Sequence, residues 1–294
     1  MAKMNSKKLT LGFIGIGLMG KPMTLRLLEA GFIVYVWNRS PENLQAVAKA
    51  GAIICSTVAE LVKTADVVIL CLADTNVVES IVRNDIVDNG SSGKLVIDLS
   101  SIHPETTKTL AALLEKQCGM GWVDAPVSGG VAAAEQGNLA IMAGGKVEHI
   151  AIARDVLAPL YRQLTHMGEV GSGQITKICN QMIVSCNVLV IAEMMALAKQ
   201  AGVDAAKIPQ ALAGGFADSK PLQITGTEMA LAQFEPVKWR VKTLLKDLNM
   251  AVDLSRQHGN SVPMSGLATQ LMQLHGSNGF LEQDPSTLIK LYDK

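Results

Sequence analysis

Seven short runs rich in Val, Ile and Leu recur over the first half of this 294-residue chain, and segments of helical character separate them. The runs are Leu9–Ile14, Ile33–Trp37, Ala52–Cys55, Val67–Leu72, Leu95–Leu99, Trp122–Asp124 and Leu139–Met142. Several are apolar throughout rather than alternating, as strands covered on both faces must be. The intervening helices have readable ends. Pro22 falls in the first turn of one and Gly31 follows its end, Thr57-x-x-Glu60 is a capping box, and Pro104 opens a segment reaching about Gln117. Strand and helix in regular alternation predict a mostly parallel, doubly wound sheet of the Rossmann type.

After Gly173 the strand pattern stops. Ile175 to Ala201, closed by Gly202, predicts one helix of about 27 residues, roughly 40 Å long at about 1.5 Å per residue. Further helices are expected at Ala205–Ala213, Trp239–His258, Ser265–Leu274 and Ser286–Tyr292. The fold class is therefore α/β followed by an all-α domain, with the long helix as the joint and domains at 8–170 and 171–294. Met182–Ala198 is apolar enough to be mistaken for a membrane span. Ser185, Asn187 and Glu193 interrupt it, and a helix apolar all round is equally expected inside a large protein. It should expose more apolar surface than one small domain can cover, which predicts a homodimer or homotetramer.

Lys plus Arg and Asp plus Glu both number 26. That balance argues against a nucleic-acid or anionic-lipid partner. The odd set Cys55, Cys71, Cys118, Cys179 and Cys186 shows no C-x-x-C spacing and reads as reduced core residues of a cytoplasmic protein. Met1–Lys8 reads as a short tail rather than a signal peptide. No metal-ligand spacing occurs; His103 reads as a helix-entry residue, and His258 and His275 as helix ends where a cation suits the dipole.

Gly15-Ile16-Gly17-Leu18-Met19-Gly20 follows one predicted strand and opens a helix. In that context the glycines give a tight turn and close backbone approach to a pyrophosphate, with a helix N-terminus facing the anion; the alternative is a purely structural turn. At the end of the next strand, where NAD sites usually hold a carboxylate, the chain has Asn38-Arg39-Ser40. Nothing there repels a 2′-phosphate and Arg39 can hold one, which favours NADP over NAD, unless Arg39 is an ordinary surface charge. The Asp124-Ala-Pro-Val-Ser128-Gly129-Gly130 loop offers backbone N–H groups and a hydroxyl to a substrate carboxylate, or is simply a strand exit. Lys177 lies about one turn into the long helix, where dipole and partial burial would lower its pKa toward that of an acid/base, and Asn180 and Gln181 share its face. Lys246-Asp247, in an apolar helical run, reads by itself as a snorkelling surface pair.

These residues, with Asp98-Leu-Ser-Ser101, Gly168-x-x-Gly171-x-Gly173-x-x-x-Lys177-x-x-Asn180 and Lys246-Asp247-Leu248, resemble the β-hydroxyacid dehydrogenases along nearly the whole chain. That group includes 3-hydroxyisobutyrate dehydrogenase, tartronate semialdehyde reductase and the glyoxylate/succinic semialdehyde reductases. The resemblance implies Lys177 as catalytic acid/base, Ser128, Gly129 and Gly130 on the substrate carboxylate, and Asn180 or Gln181 assisting. It also implies Lys246 near the nicotinamide with Asp247 close by, and Ser100 and Ser101 on the cofactor's ribose side; Leu72 and Ala73 are grouped with the cofactor contacts.

Two departures from the family pattern bear on the substrate. Gln181 stands where many members have Asn, and the stretch Pro236–Arg240 is one residue longer than usual, with Trp239 replacing a phenylalanine that borders the substrate. The similar 6-phosphogluconate dehydrogenases carry Lys-x-x-His-Asn and a larger helical domain, and imine reductases of this architecture typically lack the lysine. The expected activity is NADPH-dependent reduction of a short semialdehyde, among tartronate, succinic and methylmalonate semialdehydes and glyoxylate, with the reverse oxidation of β-hydroxy acids. A non-catalytic NADPH-binding or scaffold protein is the alternative.

Overall fold

The computed structural model describes residues 9–292. The lysine-rich start, expected as a tail, lies outside the described residues. In chain order the first unit runs β1 (Thr10–Ile14), α1 (Gly20–Glu29), β2 (Ile33–Trp37), α2 (Gln45–Lys49), β3 (Ile53–Ile54), α3 (Val58–Thr64), β4 (Val67–Leu70), α4 (Thr75–Ile81), β5 (Leu95–Asp98), α5 (Pro104–Cys118), β6 (Gly121–Asp124), β7 (Val127–Ser128), α6 (Gly130–Gln136), β8 (Leu139–Gly145), α7 (Val147–Leu157) and β9 (Tyr161–Gly168). The nine strands form one sheet in the order β3-β2-β1-β4-β5-β6-β8-β7, with β9 also on β8. Pairing is parallel except where β8 meets β6 and β7.

Successive residues of the central strands serve opposite faces. Val67, Ile69, Leu95, Ile97 and Val123 join one buried cluster with Met23 and Leu27 of α1, while Val68, Leu70, Val96 and Trp122 join the other with Leu61 of α3 and Leu110 and Leu114 of α5. This two-sided burial is why those runs are apolar without alternation. Helix ends follow local chemistry. The Thr57 hydroxyl accepts from Glu60 N and the Glu60 carboxylate accepts from Ser56 N. His103 Nδ1 accepts from Glu105 N in front of Pro104, which makes it the helix-entry residue expected.

α8 (Ser172–Gln200) is one helix of 29 residues, and the chain divides within it, after Lys177, into two compact units. The second unit continues with α9 (Ile208–Leu212), α10 (Thr227–Leu231), α11 (Val241–Gln257) and α12 (Pro263–His275), closed by a helical segment at Pro285–Tyr292. α8 is long and apolar enough to span a membrane. Its Val188, Leu189, Ile191, Ala192, Met195 and Ala196 instead pack with Leu244, Leu245 and Leu248 of α11 and with Met272 of α12 in this unit's core.

Several expectations are corrected. β7 and β9 were not foreseen: β7 has two residues, and in β9 Leu164 is the one buried residue of an otherwise exposed or half-buried strand. α8 starts at Ser172 rather than Ile175. The helix expected over Ala205–Ala213 is a short 3₁₀ turn followed by α9, and a helical stretch at 222–231 was missed. His275 is no exposed cation, because burial, with a smaller push from Lys290, lowers its pKa to about 4. All five cysteines are free; Cys55 is buried but Cys179 is exposed, so the core reading fails for Cys179.

Candidate active site

The sheet register puts Trp37 beside Ile14, Ile14 beside Leu70, Leu70 beside Asp98, and Asp98 beside Asp124. β2, β1, β4, β5 and β6 therefore finish level, and the loops after them share one edge. Strand order reverses between β1 and β4, the switch point at whose carboxyl edge sheets of this kind bind ligands.

The glycine loop leaves β1 at that reversal. Gly15 has φ of +103°, and a Cβ on it would lie 2.2 Å from the Cys71 carbonyl oxygen; a Cβ on Gly20 would lie 1.9 Å from the Gly15 oxygen. Gly17 has nothing within 4 Å of its Cβ position, so the space in front of its backbone is open. Met19, at the N-cap of α1, makes no side-chain cap bond, and the first turn of the helix holds no acidic residue. An open glycine backbone at such a helix start fits a pyrophosphate. Leu18 is exposed and Met19 half-buried at this loop.

The Asn38 side chain bonds within the chain. Its Oδ1 accepts from Ile16 N at 2.9 Å and its Nδ2 donates to the Ser40 oxygen at 2.9 Å, tying the glycine loop to the end of β2. Arg39 is exposed and has no ion pair among the described residues. Ser100 is buried and its hydroxyl accepts from Leu72 N at 2.9 Å, so it braces the end of β4; Ser101 is half-buried and Ala73 exposed. Burial, and then the nearby Asp98, push the Cys71 thiol up to about 12, which keeps it protonated beside this loop.

Asp124 is fully buried at the end of β6. Its Oδ1 accepts from Gly171 N at 2.8 Å and its Oδ2 from Gln174 N at 2.9 Å. Burial pushes its pKa up to about 7, against the opposing pull of the backbone N–H groups it accepts from. The Gln174 side chain, also buried, donates to the Ser100 oxygen at 2.8 Å and accepts from Ile102 N at 3.2 Å. The first turn of α8 is thus pinned to the ends of β5 and β6, and the half-buried Lys177 follows one turn later. After β7, Ser128 is half-buried, Gly129 and Gly130 have φ of +138° and +70°, and the space at the Gly130 Cβ position is open.

In the second unit, Asn180 Nδ2 donates to Gln181 Oε1 at 2.8 Å and Gln181 Nε2 donates to Asp247 Oδ2 at 2.6 Å. Asp247 Oδ1 lies 3.2 Å from Lys246 Nζ. Asn180, Gln181, Lys246 and Asp247 therefore form one connected group. Trp239 packs against this unit's core, and its segment is held by Lys238 N donating to Asp284 Oδ2 at 3.0 Å. Among the described residues, no group of three His, Cys, Asp or Glu side chains could hold a metal ion.

Two residues that fix this site escape sequence reasoning: Asp124 stands in a motif there without a role of its own, and Gln174 goes unnoticed. The available signal was a Gly-x-Gly helix start with no local capping side chain, which requires a partner from elsewhere.

A level carboxyl edge with a glycine loop at the switch point, in a chain that continues into an all-α unit, fits a nicotinamide-dinucleotide oxidoreductase. Residues 10–168 match the family described as the NAD binding domain of 6-phosphogluconate dehydrogenase, and residues 171–292 match the NAD-binding domain of NADP-dependent 3-hydroxyisobutyrate dehydrogenase. The 2-hydroxy-3-oxopropionate reductase of Escherichia coli is 32% identical over 95% of this chain and 96% of its own. The solved Mycobacterium tuberculosis 3-hydroxyisobutyrate dehydrogenase with L-serine superposes with a TM-score of 0.88 at 29% identity, covering 97% of this chain and 99% of that one. Psf3 in complex with NADP+ and 2-OPP gives 0.87 at 26% identity, covering 97% and 100%.

The chain belongs to the β-hydroxyacid dehydrogenase family. It is an NAD(P)-dependent oxidoreductase of hydroxy acids, so the reading as an idle scaffold is set aside.

Proposed function

We propose that this enzyme uses NADPH to reduce a short semialdehyde carrying a carboxylate to the hydroxy acid, and catalyses the reverse oxidation. Tartronate, succinic and methylmalonate semialdehydes and glyoxylate are the candidate substrates. The observation that carries this reading is the first turn of α8, fixed by Asp124 and Gln174 at the edge where the glycine loop opens, with an amine one turn further on.

A reduced nicotinamide, when bound, would supply the hydride. The chain's own residues do the rest. Backbone N–H groups of Ser128–Gly130 and the Ser128 hydroxyl hold the substrate carboxylate, and Lys177 in its ammonium form gives a proton to the carbonyl oxygen as negative charge develops there. The products are the alcohol, the oxidised cofactor and a neutral amine that solvent reprotonates. Asn180, one turn beyond Lys177, bonds the substrate, and Arg39 holds the 2′-phosphate. Five free cysteines are consistent with residence in the cytoplasm.

The second unit exposes Ile183, Val190 and Leu197 along α8, an apolar stripe suited to a second copy of the chain in a homodimer or homotetramer.

The test is the initial rate of NADPH and of NADH oxidation with each of the four aldehydes. Turnover of one of them, faster with NADPH, is expected; turnover of none, with NADPH bound, would overturn the substrate class.

A further inference from the structure

We propose that Asp124 is a positioning residue for the reaction, acting through Lys177 by capping the helix that carries it. The proposal rests on the reading of Lys177 as the acid/base.

A helix leaves its first N–H groups without intrahelical partners, and a local Ser, Thr, Asp or Asn normally accepts one of them. α8 has Gly171 before its first residue, which has no side chain to offer. The carboxylate of Asp124, 47 and 50 residues earlier in the chain, accepts in its place with both oxygens. An anion there also meets the positive end of the helix dipole.

The fit leaves no slack. A Cβ on Gly173 would lie 2.8 Å from Asp124 Oδ2 and 2.6 Å from its backbone oxygen, and one on Gly144 of β8 would lie 2.7 Å from Oδ1 and 2.9 Å from Gly173 N. The two glycines are thus closed around the carboxylate by backbone, which cannot shift cheaply. Gln174 adds a second fixing point on Ser100 and Ile102.

The consequence for chemistry is geometric. Lys177 is three residues beyond Gln174, on the same helix face. Any tilt or slide of the first turn is therefore carried to Nζ, and a misplacement of about 1 Å in a reacting geometry is enough to cost about 10²-fold in rate. A carboxylate needed only for stability would have no such link to one side chain.

The decisive experiment is a double-mutant cycle of Asp124→Asn and Lys177→Ala, reading NADPH oxidation with the aldehyde that wild-type enzyme turns over fastest. Asn keeps the volume and one oxygen acceptor but cannot accept both N–H groups. Asp124→Asn is expected to lower kcat by ~10–100-fold with KM for NADPH within about twofold. In the Lys177→Ala background the same change should cost less than about twofold, because the group it positions is gone.

Full additivity of the two losses, or a wild-type kcat for Asp124→Asn, would overturn the proposal. The reading of Lys177 fails separately, by full turnover of Lys177→Ala alone. Should Asp124→Asn not fold, Gly173→Ala tests the same contact from the other side: it keeps the carboxylate and displaces the helix start, and a kcat loss that vanishes without Lys177 is again expected. Unchanged kcat in that variant would equally sink the idea.

Discussion

Gln181 Nε2 donates to Asp247 Oδ2 at 2.6 Å, joining α8 to α11 through an amide and a carboxylate that are both almost wholly removed from solvent. The other end of the amide accepts from Asn180, so a single side chain satisfies a buried carboxylate oxygen and fixes the orientation of a neighbour on the proposed catalytic face. Gln181 itself is therefore engaged at both ends of its amide. Replacing it by Leu leaves a buried acceptor of Asp247 without this donor and Asn180 without its guide. The variant should lose about 1–3 kcal/mol of stability in urea unfolding and turn over more slowly than wild type. An unfolding midpoint and rate both unchanged would show that the amide pairing is incidental.

Arg39 is exposed after β2 and no carboxylate pairs with it among the described residues, while Asn38 beside it is occupied in holding the glycine loop. On the proposed reading this guanidinium selects the cofactor. A hydrogen bond to a charged partner contributes about 1.5–3 kcal/mol, roughly ten- to a hundredfold in affinity. Arg39→Ala should raise KM for NADPH by about that factor and leave KM for NADH nearly unchanged. Titrating both cofactors against one aldehyde checks it; an equal rise for both would mean that Arg39 does not read the 2′-phosphate.

His275 is buried at the end of α12, stacked on Phe280 with ring centroids 4.3 Å apart, and its Nε2 lies 2.9 Å from Thr287 Oγ1. That hydroxyl donates its proton to the Asp284 oxygen, so it accepts from Nε2–H. Burial, assisted by Lys290, lowers its pKa to about 4, whereas the unfolded chain titrates near 6.5. Between those values the unfolded state binds the extra proton. The stability His275 contributes is therefore complete above about pH 6.5 and lost as the pH falls toward 4. Hydrogen exchange over residues 263–292 should quicken from pH 7 to pH 5, after correction for intrinsic rates. His275→Phe keeps a ring on Phe280, removes the titration and should flatten that pH dependence; an undiminished slope in the variant would assign it to another group.

How much of this was readable in the sequence depended on how local the cause is. β1, β2, β4 and β5 announce themselves because each is apolar on both faces, and the glycine loop does so because backbone geometry demands residues without a side chain. β9 did not, since Tyr161–Gly168 buries one residue and takes its structure from the ladder with β8 rather than from its own pattern. Lys177 and Asn180, the residues proposed to carry the chemistry, are picked out by motif. What holds them is not: Asp124 meets its partners across 47 and 50 residues and Gln181 meets Asp247 across 66, and no periodicity within a segment encodes such a pairing.

The same distinction bears on assembly. Ile183, Val190 and Leu197 are 72%, 54% and 67% exposed on α8. They are seven residues apart, and seven residues fall only about 20° short of two full helical turns, so the three lie on one stripe. Their neighbours Val188, Ile191 and Met195 point into the second unit's own core, which means that the stripe is a second apolar face rather than an edge of the first. Met264, Leu267 and Leu274 of α12 add further exposed apolar surface in the same unit. Scattered single apolar residues are ordinary on a surface, but a periodic set along one helix marks a contact face. A stable contact between two copies needs about 1,200–2,000 Å² buried in total, and a charge at its centre costs the association several kcal/mol. Light scattering should find the wild-type chain as a dimer or tetramer and Val190→Lys shifted to a smaller species at the same concentration, with the far-UV circular dichroism unchanged. If Val190→Lys keeps the wild-type mass, the stripe is not where the copies meet.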